Sequence, residues 1–96
     1  MINKKEIYES NDIVNVELEE MNELLFAHID VKIFGKEVLL YIQSLWEQLQ
    51  FDAWANGYDE VFIYSKNDKF VSLLDKSIKN ISAMGDIKLY VKDLEF

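Results

Sequence analysis

Apolar residues alternate with polar ones from Val14 through Val16 to Leu18, with Asn15 and Glu17 between them, which is the period of a strand with one buried face. The alternation returns at Leu25 and runs through Ala27, Ile29, Val31 and Ile33, interleaved with Leu24, Phe26, His28, Asp30, Lys32 and Phe34. An unbroken period of two over this length predicts a second strand. Glu19–Glu20–Met21–Asn22 is polar enough to turn between them, so the pair is predicted to form an antiparallel hairpin. Residues 1–11 carry little pattern and are expected to be irregular or an edge strand, with Ser10–Asn11–Asp12 as a break.

Gly35 closes the second strand, and from Lys36 the period lengthens. Val38, Ile42, Leu45 and Leu49 recur at helical spacing, with Leu39, Trp46 and Ala53 beside them. Asn56–Gly57 supplies the stop, so one long helix is predicted over Lys36–Asn56. Leu40, Tyr41, Phe51 and Trp54 lie off the stripe, so this helix is apolar over more than one face. Val61–Phe62–Ile63–Tyr64 is short and continuously apolar, which predicts a central strand buried on both faces. Ser65 with Asp68, or Asn67 itself, caps a second helix with an inner face of Phe70, Leu73, Leu74, Ser77, Ile78 and Ile81. Ser82 to Asp86 turns at Gly85. Ile87, Leu89 and Val91 then alternate with Lys88, Tyr90 and Lys92 in a last strand, and Leu94 and Phe96 continue on the Lys88 side. The predicted order is β-β-α-β-α-β. This is one α/β (α+β) domain over residues 1–96, a mixed sheet with two helices packed on it.

Composition narrows the chemistry. With 96 residues the chain has room for one core. There is no Cys, which removes disulfides, thiolate metal sites and Cys nucleophiles together. No apolar run reaches the length of a membrane span, and Met1–Ile2–Asn3–Lys4–Lys5–Glu6 is not an apolar leader, so a cytoplasmic protein is expected. The net charge is −8, and it is concentrated early: residues 1–30 hold eight acids against Lys4 and Lys5. All the basic residues are Lys. Without Arg the chain lacks the bidentate fork that reads guanine and grips phosphate, so the balance argues against nucleic-acid binding and for basic partners.

Residues 24–96 resemble the acyl-CoA-binding core of the GNAT N-acetyltransferases, in particular the short versions of phage genomes. That core is a strand, a pyrophosphate loop opening a long helix, a strand, a second helix and a last strand. Here the loop is Lys32–Ile33–Phe34–Gly35–Lys36–Glu37. The helix ends in Ala55–Asn56–Gly57–Tyr58, and Val61–Phe62–Ile63–Tyr64–Ser65 leads into Asn67–Asp68–Lys69–Phe70–Val71–Ser72–Leu73–Leu74. The resemblance implies an acyl-CoA-binding domain or weak acetyltransferase, with acetyl-CoA as cofactor. Gly35 and Lys36 would hold the pyrophosphate, since free amides at a helix start attract anions. Two positions depart from the pattern. Glu37 stands where a second small residue is expected, and Leu74 stands near the place of a Tyr acid. A catalytically inactive member fits these departures.

His28 is the only His and the sole candidate base. With one His and no Cys, a zinc site is not expected. Tyr58 and Tyr64 bracket the central strand. Trp46, Phe51 and Trp54 are candidate partner-binding residues on the long helix, because large aromatics are enriched in interface cores. Glu17, Glu19, Glu20 and Glu23 form an acidic segment suited to a basic partner. These features support an alternative, a non-enzymatic acidic interaction protein such as a phage-encoded inhibitor of a host defence complex, acting in the host cytoplasm. A homo-oligomer built on the aromatic helix fits either function.

Overall fold

The first alternating segment is bordered by a partner strand on each side. The computed structural model describes residues 5–95; Met1–Lys4 and Phe96 lie outside the described residues, and with them part of the expectation for residues 1–11 and that for Phe96. Eight elements follow in order: β1 (Lys5–Ser10), β2 (Val14–Met21), β3 (Leu24–Val31), α1 (Lys36–Ala55), β4 (Glu60–Ser65), α2 (Asp68–Leu74), β5 (Lys79–Met84) and β6 (Ile87–Asp93). The strands form one mixed sheet in the order β1-β2-β3-β4-β6-β5. β3 and β4 are parallel and the other pairs antiparallel. The α1 crossover makes the parallel pair possible. The α/β class with a mixed sheet and two helices is as the sequence predicts; the element order gains a strand at each end of the sheet.

Both helices lie on one face of the sheet. Val14, Val16 and Leu18 of β2, Leu25 and Ala27 of β3, and Val61 and Ile63 of β4 meet Ile42, Trp46, Leu49 and Ala53 of α1 and Val71 and Leu74 of α2. Each of the larger side chains contributes about 1.5–3 kcal/mol by leaving water. β4 is therefore buried on one face and not on both: Phe62 is half-buried and Tyr64 is exposed on the opposite side.

Two further expectations are corrected. The second helix stops at Leu74 instead of running to Ile81. Asp75 takes an extended conformation (φ −164°, ψ 118°), and its carboxylate accepts from the Ser77 amide at 2.9 Å and the Ser77 hydroxyl. That local turn competes with helix continuation. Residues 79–84 then pair with β6, which a helix would have forfeited. Ile81 sits at the register shift of β5 and is half exposed. The turn shrinks to Gly85–Asp86, where Gly85 has φ 64° and Met84 faces Ile87.

β6 is oriented by α2. Lys88, Tyr90 and Lys92 face the helices, and Ile87, Leu89 and Val91 turn to the open face. The lysine heads reach the two ends of α2. Lys88 pairs with Asp68 at its start, and Lys92 pairs with Asp75 just beyond its end at 3.0 Å. Four residues of strand span roughly the length of this seven-residue helix. Leu94 continues on this side into the core.

Candidate functional site

The parallel pair opens at one end. β3 is in register with β4 only over Leu25–His28 against Val61–Tyr64, whereas β2 follows β3 as far as Val31. Beyond His28 the edge of β3 that faced β4 has no strand partner. The carboxyl ends of β3 and β4 feed α1 and α2, so both helix starts border this opening, the position where α/β sheets take ligands.

Three cavities adjoin there. The first, of about 380 Å³, lies on the helix side and is walled by Val31, Phe34, Gly35, Lys36, Leu39, Asn67, Lys69, Phe70 and Leu73. The second, of about 370 Å³, straddles the opening between Ile29, Asp30, Tyr64, Ser65, Lys66 and Ile87, and shares Val31, Phe34, Asn67 and Phe70 with the first. The third, of about 420 Å³, lies on the open face among His28, Tyr64, Met84, Ile87 and Leu89, and shares Tyr64 and Ile87 with the second. The three cavities thus lie in sequence from the start of α1, past the free edge of β3, to the open face of the sheet.

The two helix starts differ. Asn67 Oδ1 accepts from the Phe70 amide at 3.0 Å, so α2 is capped. Gly35 precedes α1 with no side-chain cap, which leaves the first amides of α1 directed at the cavity mouth. Gly35 is extended (φ 166°), and a Cβ there would meet open space. Glycine is therefore not required by the backbone. Glu37 is exposed in the first turn of α1 and is not part of the wall of the first cavity. Lys36, Lys66 and Lys69 put three positive charges on the rim.

His28 stands on the open face. Its Nε2 lies 3.0 Å from Glu19 Oε1, and its ring stacks on Tyr64 at 5.9 Å. Tyr64 stacks in turn on Phe26, and Phe26 on Phe62, which makes an aromatic ladder across β3 and β4. Leu74 is a core residue, so its position carries no proton donor. Tyr58 is at the opposite end of β4 from Tyr64. Its hydroxyl is buried with no partner in hydrogen-bonding geometry, and burial, then the neighbouring Glu20, raises its pKa.

Of the partner candidates on α1, Trp46 is corrected: it is 3% exposed, and its Nε1 donates to Asp75 Oδ2 at 3.1 Å. A ring in that position is a core contact between α1 and the end of α2. Phe51 and Trp54 are 48% and 43% exposed with ring centroids 6.0 Å apart. The acidic segment is not one patch. Glu17 pairs with Lys5 at 3.1 Å and Glu19 with His28 on the open face. Glu20 points to the other face beside Tyr58, and Glu23 sits in the β2–β3 turn.

Phe34, Phe70, Asp30 and Asn67 line the opening; sequence reasoning reached Phe34 only as a member of the loop and Asp30 only as a possible partner of His28, which meets Glu19 instead, and did not single out Phe70 or Asn67 as site residues. Phe34 carried one usable signal: it is a large apolar residue next to a glycine in a connection, and it remains 67% exposed. Among the described residues no group of His, Asp and Glu is arranged to hold a metal ion. Among the described residues no helix is long and apolar enough to cross a membrane. The chain matches no protein-family model, and no curated protein and no solved structure is significantly similar to it.

Proposed function

We propose that the protein is a GNAT-like acyl-CoA-binding domain with little or no acetyltransferase activity. The observation that carries this reading is the divergence of β3 and β4 beside an uncapped helix start. A phosphate at Gly35–Lys36 would meet free amides, the α1 dipole and the lysines of the rim. The pantetheine arm would lie along the free edge of β3 at Ile29–Val31, where its amides take the place of a missing strand. The thioester would then arrive near Tyr64 and His28. Weak catalysis follows from the same geometry, since Leu74 offers no proton and His28 already faces Glu19.

Thermal shift and calorimetry with acetyl-CoA test the reading, with Gly35→Asp as the variant. Asp is a preferred N-cap and the backbone at Gly35 is extended, so the variant is expected to melt no lower than the parent. It also places an anion in the phosphate position. The parent should be stabilised by about 2.7 kcal/mol at cofactor a hundredfold above Kd, and Gly35→Asp should show no such shift. No stabilisation of the parent at millimolar cofactor, or an equal shift in the variant, would end the proposal.

A second reading, an acidic interaction protein, is favoured by the exposed Phe51–Trp54 pair on a chain of net charge −8. A basic partner retained at low salt, released at high salt, and lost from a Phe51→Ser/Trp54→Ser double variant would support it.

A further inference from the structure

The cavity on the open face is apolar, although it adjoins a site that an acetyl group would leave almost empty. Met84 is 84% exposed, Ile87 43% and Tyr64 38%, and with Leu89 they surround a depression of about 420 Å³. Apolar side chains so disposed gain by taking an aliphatic occupant, each buried methylene adding to affinity. The depression also adjoins the opening between β3 and β4, because Tyr64 and Ile87 wall both spaces. His28 bounds the far side and is held there by Glu19 and by its stack on Tyr64.

We propose that this cavity receives the acyl chain of the bound thioester, and that the preferred ligand is a medium-chain acyl-CoA, of about eight carbons, instead of acetyl-CoA. The inference rests on the acyl-CoA reading above. It adds a position for the acyl tail, passing between β3 and β4 under Tyr64 and Ile87 and lying against β6 and the β5–β6 turn.

Calorimetry of CoA, acetyl-CoA and octanoyl-CoA against the full chain tests it. Octanoyl-CoA is expected to bind at least about tenfold tighter than acetyl-CoA, since six added methylenes are worth more than that even when half buried. Two variants locate the chain. Met84→Asp puts a charge at an exposed wall, and Leu89→Trp fills the depression; in both, the ratio of octanoyl-CoA to acetyl-CoA affinity should fall towards one. If acetyl-CoA binds and octanoyl-CoA is no tighter, the acyl-tail cavity is refuted while the acyl-CoA reading stands. If the ratio is unchanged in both variants, the chain lies elsewhere and the proposal fails. If none of the three ligands binds, the acyl-CoA reading falls and this inference with it.

Discussion

At Asn22 and Glu23 the backbone takes φ of 52° and 68°, the left-handed region at both central positions of the β2–β3 turn. Asn tolerates this conformation and Glu does not, because its Cβ crowds the following carbonyl. The two-residue turn itself favours Asn-Gly, since its twist matches the flanking strands. Glu23→Gly is therefore expected to stabilise the protein by about 1 kcal/mol and to raise Tm by roughly 4–8 °C. A melting curve that is unchanged or shifted downward would show that the Glu23 conformation is not strained. The turn was legible as a turn and Asn22 as one of its residues, but Glu23 was not. Glu19 and Glu20 looked like turn residues by polarity, whereas pairing with β3 keeps both in the strand through Met21↔Leu24.

Among the elements, α2 adds ion pairs at both of its ends to the core packing of Val71 and Leu74. Burial disfavours the Asp75 carboxylate, but the Ser77 hydroxyl and amide, Trp46 Nε1 and Lys92 together outweigh this and hold its pKa down at about 2. At the other end, Lys88 and then the Tyr90 hydroxyl lower the Asp68 pKa. Burial, then Asp68, pushes Tyr90 up to about 12. Because the folded-state pKa of Asp75 is depressed, its contribution is present above the unfolded value near 4 and is lost as pH falls towards 2. Asp75→Asn should cost roughly 1–2 kcal/mol at pH 7, after allowance for solvent screening, and the gap to the parent should narrow below pH 4 and close only once pH has fallen through the folded value of about 2. Urea titrations at pH 7, 4 and 1.5 measure this; a gap that is undiminished at pH 1.5 would place the effect in shape and not in charge. The same carboxylate explains why the helical spacing of Ser77, Ile78 and Ile81 misleads. Asp75 ends α2 by binding Ser77, and Ile78 reaches the core from a turn.

Over the whole molecule the sheet has one covered face and two edges. β2, β3 and β4 are paired on both sides and carry most of the core against α1, while β5 is an edge strand with every residue exposed. Local stability should follow that difference. In native-state hydrogen exchange the slowest amides are expected in β2, β3 and β4. The outward amides of β5 should exchange orders of magnitude faster, as unpaired edge groups do. Equal protection of β5 and β3 in dilute solution would mean that something covers the β5 edge, with a second copy the first occupant to test by sedimentation.

The sequence alone determined the repeating local patterns. Period two at Val14–Leu18 and from Leu25, helical spacing from Val38 to Ala53, the Asn56–Gly57 stop and the Asn67 cap each depend on neighbours within a few residues, and each is realised, except that the second strand ends at Val31, short of the predicted Ile33, which is half exposed. The α/β class follows from their order. Tertiary structure decided whatever depends on residues distant in the chain. Whether Lys79–Met84 is helix or strand turned on the open edge of β6, and Trp46 is a core residue whose indole N–H donates to Asp75, 29 positions later. The face that β6 buries is the one on which Tyr90 and Leu94 join the core while Lys88 and Lys92 meet Asp68 and Asp75, against the evident Ile87–Leu89–Val91 stripe. The opening at His28, which makes Gly35 and Lys36 part of a cavity, exists only because β4 parts from β3 there while β2 does not. No local pattern encodes that divergence, since it is a difference between two pairings of one strand.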